Sequence, residues 1–260
     1  MKIATLGPEG TYSHMAARKI GDDMEFYDDV YEIAAAIEDQ DSDVKAGVLP
    51  IENSIEGSVT PTLDVLMEFD VYIRNEVVVE VHHALLSRSE GFDTVVSHPQ
   101  ALRQCRGYLD ENYSDVRRKT TTSTAKAAET AEDDSNYAAI AHPSLAGTDL
   151  GVLEKEIQDE EHNHTRFVHV EADRGSLTGD KTTVIVYPGR DRPGLLYDIL
   201  SVFKERGVNL SRIESRPSKH ELGDYVFHID FHDGDVEAIL EELRNTVEWV
   251  EFKGSYGEIK

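Results

Sequence analysis

Segment 163–167 has the sequence Asn-His-Thr-Arg-Phe, which sets a hydroxyl, a guanidinium and an aromatic ring side by side. Thr165 can donate one hydrogen bond and accept two, and Arg166 carries a planar fork of donors that suits a carboxylate. The alternation of residues from Thr165 onward predicts a strand, so Thr165 and Arg166 should leave it on opposite faces. Taken alone, the segment is more typical of a strand whose arginine pairs with a nearby acid.

Two turns near the N-terminus follow short apolar segments, and the first could bind an anion. Residues 3–6 predict a buried strand, and the turn at 7–13 leads into a helix capped by Thr11 or Ser13. Free backbone N–H groups in such a turn form a natural anion site. An ordinary capped helix is the simpler interpretation of this turn by itself.

The second turn places a carboxylate beside an amide. A buried strand is predicted at 45–49, and it ends in the polar segment 50–58, which contains Glu52 and Asn53. Open α/β sheets bind ligands at the carboxyl ends of their strands, ahead of helix N-termini, so both turns are candidates for one site. A turn rich in helix caps is the alternative, and it accounts less well for Glu52 and Asn53 than for their neighbours.

The middle of the chain indicates two α/β lobes. Residues 71–86 form a nearly continuous β-forming segment that is long enough to cross between lobes. Strand–turn–helix units recur beyond it, and the helix after 97–100 carries Gln104. We therefore expect a cleft between two lobes, lined by the polar turns. Adjacent strand residues such as His82 and His83 face opposite ways, which argues against a metal site there.

A change of pattern near residues 174–180 predicts a linker. The elements that follow have the order strand, helix, strand, strand, helix, strand, which is typical of a ferredoxin-like βαββαβ sandwich. Asp191 to Gly194 are expected to cap the first of its helices. The sequence thus predicts two domains, at 1–174 and 181–260.

The composition excludes several classes of protein. The 260 residues include 51 acidic and 26 basic ones, a net charge of −25, so neither nucleic acid nor an anionic membrane is an expected partner. The scattered acids predict a solvated coat that salt must screen, and at 1 M salt the screening length is about 3 Å, so we expect a high-salt cytoplasm. The single cysteine, Cys105, excludes an internal disulfide. No apolar segment reaches membrane-spanning length, and residues 1–3 are predicted to enter a strand directly, so we expect a soluble, cytoplasmic protein without a signal peptide.

Four segments resemble the motifs of the prephenate dehydratase family, in that family's order. They are 7–13, 50–54, 97–100 and 163–167. The C-terminal part resembles an ACT domain, with 193–196 near its glycine-alanine-leucine motif and 214–217 matching its phenylalanine-binding signature. The resemblance covers essentially the whole chain. It implies an α/β fold in which a two-lobed, periplasmic-binding-protein-like catalytic domain precedes a ferredoxin-like regulatory domain.

The same resemblance implies decarboxylating dehydration of prephenate to phenylpyruvate in L-phenylalanine biosynthesis, without a metal or organic cofactor. It also implies feedback control by L-phenylalanine and a homodimer or homotetramer. The implied catalytic residues are Thr165, Glu52 and Asn53, with Thr165 donating a hydrogen bond to the departing hydroxyl and Glu52 as a candidate acid. The implied substrate-binding residues are Thr11, Ser13, Ser54, Gln104, Asn163, Arg166 and Phe167. Arg166 and the N–H groups at 11–13 would hold the pyruvyl carboxylate.

The ACT resemblance implies a regulatory site for L-phenylalanine. Its residues would be Gly194, Leu195, Leu196, Glu214, Ser215, Arg216 and Pro217. Leu195 replaces the alanine that is common in the family, so a larger side chain stands at the mouth of the expected pocket.

Two other functions stay open at this point. One is arogenate dehydratase, whose substrate carries an amine where prephenate has a keto oxygen. The other is a non-catalytic amino-acid sensor, because a two-lobed domain and an ACT domain could both simply bind ligands. The juxtaposition of Thr165 and Arg166 disfavours the sensor.

Overall fold

The computed structural model describes residues 1–189, 192–219, 221 and 223–260. Its first unit, lobe 1, is an α/β unit built from residues 2–80 and one later strand, at residues 164–171. Lobe 1 consists of β1 (Lys2–Leu6), α1 (Tyr12–Arg18), β2 (Met24–Tyr27), α2 (Val30–Glu38), β3 (Val44–Asn53), β4 (Gly57–Ser58), α3 (Thr60–Glu68), β5 (Tyr72–Glu80) and β11 (His164–Glu171). Because β11 returns from lobe 2, the chain crosses between the lobes twice.

Lobe 2 has its own five-stranded sheet, with strand order β10-β6-β9-β7-β8. Its elements are β6 (Ala84–Ser87), β7 (Thr94–Ser97), α4 (Pro99–Gln104), α5 (Arg106–Asn112), β8 (Arg117–Thr120), α6 (Thr124–Asp133), β9 (Tyr137–Ala141), a 3₁₀ turn (Pro143–Leu145) and β10 (Gly151–Glu154). Small side chains allow α6 to pack closely on the sheet, since Ala127, Ala131 and Ala139 are fully buried in one cluster.

The C-terminal domain has the βαββαβ order. It consists of β12 (Lys181–Tyr187), α7 (Leu195–Glu205), β13 (Asn209–Pro217), β14 (Tyr225–His232), α8 (Val236–Thr246) and β15 (Trp249–Glu258). Asp191, which was expected to help cap α7, lies outside the described residues. Gly194 is the N-cap of α7 and has a φ of 87°, a conformation that glycine adopts without the strain of a side chain.

One ten-stranded sheet runs through lobe 1 and the C-terminal domain. Its order is β13-β14-β12-β15-β5-β11-β3-β1-β2, with β4 paired to β3. At the junction β15 pairs with β5 in parallel, and Gly257 lies opposite Asn75. Gly254 permits this approach, because a Cβ there would lie 2.2 Å from the carbonyl oxygen of Ile73. The C-terminal domain is therefore joined to lobe 1 through the backbone as well as through side chains.

Several helices start at side-chain caps that the sequence supplies. Thr11 accepts a hydrogen bond from the backbone N–H of His14 at the start of α1, and Ser123 accepts one from Lys126 at the start of α6. The helices are short, and α7 and α8 span 11 residues each. In the described part of the chain, no helix is both long and apolar enough to cross a membrane.

The expected fold class is confirmed, with two α/β lobes joined to a βαββαβ domain. Segment 71–86 crosses between the lobes as expected, and it does so as two strands, β5 and β6, because the chain leaves the sheet of lobe 1 to enter that of lobe 2. The expectation of a turn at 50–53 was wrong. The polar segment 50–53 is not a turn but the end of β3, since β11 offers it a pairing partner as far as Asn53.

Candidate active site

A cavity of about 280 Å³ lies between the two lobes. Lobe 1 contributes the start of α1 and the ends of β3 and β11 that meet there, and lobe 2 contributes the starts of α4 and α6. The expected site residues that line it are Thr11, Ser13, Asn53, Gln104, Thr165 and Phe167. Its position follows the rule for open α/β sheets, in which strand ends and helix starts surround the ligand.

The hydroxyl of Thr165 is held at the cavity by Asn53. Nδ2 of Asn53 donates to Oγ1 of Thr165 at 3.0 Å and to Oδ1 of Asn163 at 2.8 Å. Oδ1 of Asn53 accepts from the backbone N–H groups of Ile55 and Glu56, both at 3.0 Å, which fixes the orientation of the amide. Because the oxygen of Thr165 already accepts a hydrogen bond from Asn53, its own proton is free to be donated to a ligand.

A β-bulge explains how Pro50 and Asn53 both reach the cavity. In a regular strand, positions three apart face opposite sides. Arg166 of β11 lies opposite Glu52, whereas the next residue of β11 lies opposite Pro50, so Ile51 is an extra residue in β3. An inserted residue of this kind reverses the alternation and re-aims side chains. Asn53 therefore faces the cavity, and Glu52 faces away from it.

Ser54 and Asn163, which were expected to bind the substrate, lie behind the cavity wall. Oγ of Ser54 donates to the carbonyl of His162 and accepts from the N–H of His164, both at 3.0 Å. Asn163 is buried and accepts its hydrogen bond from Asn53. These contacts tie the end of β3 to the segment that enters β11. Both residues support the hydroxyl-bearing strand and do not line the cavity themselves.

His83 and Gln104 also line the cavity. Nε2 of His83 lies 2.9 Å from Oε1 of Gln104, and both side chains are buried. His83 was not among the expected site residues, and its neighbour His82, the other half of the rejected metal pair, contacts Glu80 and Glu156. His83 lies where the chain crosses from lobe 1 to lobe 2, and a residue at such a crossing lies next to the cleft. This position in the sequence was the signal that could have identified His83.

Three helices begin at the cavity, and they provide most of its remaining polar surface. Thr11 precedes α1, His98 precedes α4 and Ser123 precedes α6, and all three side chains line the cavity. Nδ1 of His98 accepts from the N–H of Gln100 at 3.3 Å. Helix N-termini carry partial positive charge, so their convergence favours an anionic ligand. His98 and Ser123 were not among the expected site residues, although a helix cap that follows a strand end was a usable signal in the sequence.

The described residues that line this cavity include no lysine, arginine, aspartate or glutamate. Burial lowers the pKa of His83, and burial together with the charge of Arg103 lowers the pKa of His98, so both imidazoles are neutral at neutral pH. Within the described chain, no three histidine, cysteine or carboxylate side chains are grouped so that they could hold a metal ion. The cavity offers hydroxyls, amides, neutral imidazoles and helix dipoles.

Arg166 is directed away from the cavity, which corrects the expectation that it holds a substrate carboxylate. Its side chain leaves β11 on the opposite face, where Nη1 donates to Glu52 at 3.1 Å and Nη2 donates to Asp230 at 2.7 Å. Nε lies 2.8 Å from Oε2 of Glu76, a charge pair without the alignment of a hydrogen bond. Glu52 shares this face, so it is not placed to donate a proton inside the cavity. Strand alternation is the physical reason in both cases.

A second cavity of about 220 Å³ lies at the start of α7 in the C-terminal domain. Gly194, Leu195 and Leu196 line it, together with Tyr225 and Phe227 of β14. The other four expected regulatory residues, at 214–217, do not line it.

Residues 214–217 belong to β13, whose alternation sends part of the segment towards lobe 1. Glu214 accepts a hydrogen bond from Ser58 at 3.0 Å, and Arg216 pairs bidentately with Asp64 at 3.1 and 3.2 Å. Ser215 and Pro217 are exposed. The signature segment therefore contributes to the contact between domains, which corrects its expected place around the cavity in this protomer.

Fold and cavity together define a two-lobed α/β domain with a cavity between its lobes, joined to a βαββαβ domain with a cavity of its own. The family model for prephenate dehydratase matches residues 3–174, and the model for the ACT domain matches residues 183–248. The chain belongs to the prephenate dehydratase family.

Relatives with known names agree with this assignment. The chain is 38% identical over 267 residues to the bifunctional chorismate mutase/prephenate dehydratase of Aquifex aeolicus, a match that covers 98% of this chain and 73% of that protein. It is 36% identical over 265 residues to the prephenate dehydratase of Methanocaldococcus jannaschii, covering 96% and 95%. The crystal structure of prephenate dehydratase from Arthrobacter aurescens in complex with L-Phe matches with a TM-score of 0.88 and 34% identity, covering 100% of this chain and 90% of that one. The predicted family is confirmed.

Proposed function

We propose that this chain catalyses the decarboxylating dehydration of prephenate to phenylpyruvate in L-phenylalanine biosynthesis. The observation that carries the proposal is the hydroxyl of Thr165, whose oxygen accepts from Asn53 while its proton stays available to the cavity. The named relatives and the match of residues 3–174 support it.

The reaction requires no covalent bond between the protein and the substrate. Prephenate carries two carboxylates and a ring hydroxyl. When the bond to the ring carboxylate breaks, carbon dioxide leaves, its bonding electron pair completes the aromatic ring, and the bond to the ring hydroxyl breaks. The departing hydroxide takes a proton and becomes water. Thr165 is a poor acid near neutral pH, so its role is to donate a hydrogen bond to the departing oxygen and to relay a proton from solvent.

The absence of cations from the described cavity wall suits this chemistry. A cation on the carboxylate that leaves would stabilise the ground state and slow decarboxylation. The pyruvyl carboxylate, which stays, can be oriented by the helix starts near Thr11, His98 and Ser123. Gln104 and Asn53 add neutral hydrogen-bonding groups that position the substrate.

The test is turnover of prephenate and of arogenate by the purified chain, with phenylpyruvate and phenylalanine measured as the respective products. Faster conversion of prephenate supports the proposal, and faster conversion of arogenate replaces the substrate. No turnover of either compound would leave the sensor as the remaining function and would sink the enzymatic proposal.

We also propose that L-phenylalanine regulates the enzyme from the second cavity. A relative of known structure was crystallised in complex with L-Phe, and the cavity at the start of α7 lies in the domain of this chain that matches the ACT family. Leu195 is buried in its wall, so Leu195→Ala should enlarge the cavity and strengthen inhibition by L-phenylalanine. Unchanged inhibition in an active Leu195→Ala variant would place the effector elsewhere.

We propose that the chain forms a homo-oligomer whose interface is the apolar surface beside this cavity. Leu196, Tyr197, Ile213 and Tyr225 are large hydrophobic residues that remain exposed, and β13 is an edge strand of the sheet. A second copy of the chain would cover them. Ile213→Asp should then yield a smaller species in light scattering, and an unchanged mass would remove this surface from the interface.

A high-salt cytoplasm is the proposed setting. The net charge of −25 gives a surface whose self-repulsion weakens as salt screens it.

A further inference from the structure

Arg166 connects β11 of lobe 1 to the C-terminal domain. Nη2 of Arg166 donates to Oδ2 of Asp230 at 2.7 Å and to the hydroxyl of Tyr256 at 3.1 Å. On its own lobe the guanidinium contacts Glu52 at 3.1 Å and Glu76 at 2.8 Å. The side chain of Asp230 is fully buried, and that of Arg166 is 11% exposed. The contacts to Asp230 and Tyr256 are therefore shielded from solvent and from salt, whereas the side chain of Glu52 is 37% exposed.

The charges around Arg166 balance. The cations are Arg166, Lys181 and Arg212, and the carboxylates are Glu52, Glu76 and Asp230. Burial alone would raise the pKa of Asp230, but Arg166 and Arg212 hold it below its ordinary value. Desolvation offsets much of the attraction in a buried ionic network, so stabilisation of the fold is a weak reason for its presence. Its directional contacts make it better suited to fixing geometry.

Two cross-strand pairs occupy adjacent positions of the β3–β11 ladder and point in opposite directions. Thr165 lies opposite Asn53, with both side chains at the cavity. Arg166 lies opposite Glu52, with both side chains on the face that meets the C-terminal domain. Any rotation of this part of β11 that displaces the guanidinium must also displace the hydroxyl, because one peptide unit joins the two residues.

We propose that Arg166 is a positioning residue through which the C-terminal domain, by way of Asp230 and Tyr256, sets the orientation of Thr165 in the cavity. The proposal rests on the function proposed above. On this assignment the C-terminal domain completes the active site without contributing any atom to the cavity. Arg166 acts on turnover through its neighbour and not on substrate binding.

The chain offers a matched control in a second ionic contact between the same two domains. Arg216 of β13 pairs with Asp64 of α3, and the side chain of Asp64 is 12% exposed. This pair resembles Arg166–Asp230 in chemistry and in the domains it joins. It differs in having no residue on β11 or at the cavity.

The experiment compares Asp230→Asn with Asp64→Asn in the full chain. For Asp230→Asn we expect kcat on prephenate to fall by about 10- to 100-fold with KM within about twofold, because small displacements of a reacting group cost this much. For Asp64→Asn we expect kcat within about twofold of the parent, although denaturant unfolding should show a loss of stability in both variants. Equal losses of kcat in the two variants, or a change confined to KM, would overturn the proposal.

Tyr256→Phe covers the case in which Asp230→Asn fails to fold. It removes one hydroxyl that accepts from Arg166 and leaves the charges in place, so kcat should fall by only about threefold with KM unchanged, because Asp230 still holds the guanidinium. Parental kcat in a folded Tyr256→Phe variant, together with failed folding of Asp230→Asn, would count against the proposal. A parent that does not convert prephenate at all would reject the proposed function instead, so the two failures are distinguishable.

Discussion

The two faces of the β3–β11 ladder have opposite chemistry. On the cavity face, Asn53 and Thr165 form a neutral hydrogen-bonded pair, and the described residues around them carry no formal charge. On the domain face, Glu52 and Arg166 belong to a cluster of three cations and three carboxylates. The pairs are neighbours in sequence, so one short segment serves two environments.

This difference shows how a chain with 25 net negative charges can bind a dianion. A cation in the cavity would attract both carboxylates of prephenate, including the one that must leave. Arg166 is instead neutralised on the domain face by three carboxylates, where it can fix geometry without holding the substrate. Orientation of the substrate is left to dipoles and neutral donors.

Thr165→Ala is expected to have the largest effect on the cavity face. It should lower kcat by about 10²- to 10⁴-fold, the range for losing assistance to a departing group, with KM little changed. Stability should hold, because this partly exposed hydroxyl contributes little to the folded state. Thr165→Ser is the control, since it keeps the hydroxyl, and it should lose much less. Retained kcat with a raised KM in Thr165→Ala would mean that the residue only binds.

Asn53→Asp tests the hydrogen bond that leaves the proton of Thr165 free. The new carboxylate would keep the contacts to the N–H groups of Ile55 and Glu56 but would accept, not donate, toward Thr165. The proton of Thr165 would then turn to the carboxylate, and kcat should fall by about 100-fold, more than in Asn53→Ala.

The control for this effect is the double variant with Thr165→Ala. If Asn53 acts through the hydroxyl, Asn53→Asp should cost little more once that hydroxyl is absent, because the two residues form one unit. Additive losses in the double variant would show that Asn53 acts on the substrate independently.

Changing the salt concentration should distinguish the exposed charges of the molecule, which salt screens, from the two faces of the β3–β11 ladder, which it should affect little. With 51 acidic residues, raising KCl from dilute buffer to about 1 M should raise the unfolding midpoint, and it should raise kcat/KM by relieving repulsion of the substrate. kcat itself should change little, because the described cavity wall is neutral. Sucrose is the control, since it favours compact states without screening charge. Equal stability and kcat/KM in dilute buffer would contradict the proposed high-salt setting.

Some of these features could be predicted from the sequence and others could not, and the reasons are physical. Alternation predicted that Thr165 and Arg166 face opposite sides, because it depends only on local strand geometry. The bulge at Ile51 has no local signal, and without it Glu52 and Asn53 could not be assigned to faces. One partner of Arg166 is Asp230, which lies 64 positions away on another domain. Such a contact depends on the junction between β5 and β15, which sequence patterns do not encode.

Substitution of His228 has the smallest predicted effect. It tests the charges on the domain face through the pH dependence of stability. This buried side chain lies on β14 near Asp230, and burial followed by the charge of Arg212 lowers its pKa to about 3. Arg216 and Lys253 oppose its protonation as well, while Asp230 favours it. The unfolded histidine has a pKa of about 6.5, so its contribution to stability is full above that pH and is lost as pH falls towards 3.

Between about pH 6 and pH 4 the unfolded chain binds a proton at His228 that the native state refuses, which should reduce the free energy of unfolding by about 1.4 kcal/mol per pH unit. His228→Leu should flatten the pH dependence by this amount in denaturant titrations. His169→Leu is the comparison on lobe 1, where burial and Arg74 lower the pKa of His169 to about 4, so its slope should fade at a higher pH. If His228→Leu keeps the parental slope, His228 must take up a proton in the native state as readily as in the unfolded chain. The charges of Arg212, Arg216 and Lys253 would then be too well screened to act on neighbouring groups, and the contrast between the two faces would rest on hydrogen-bond geometry alone.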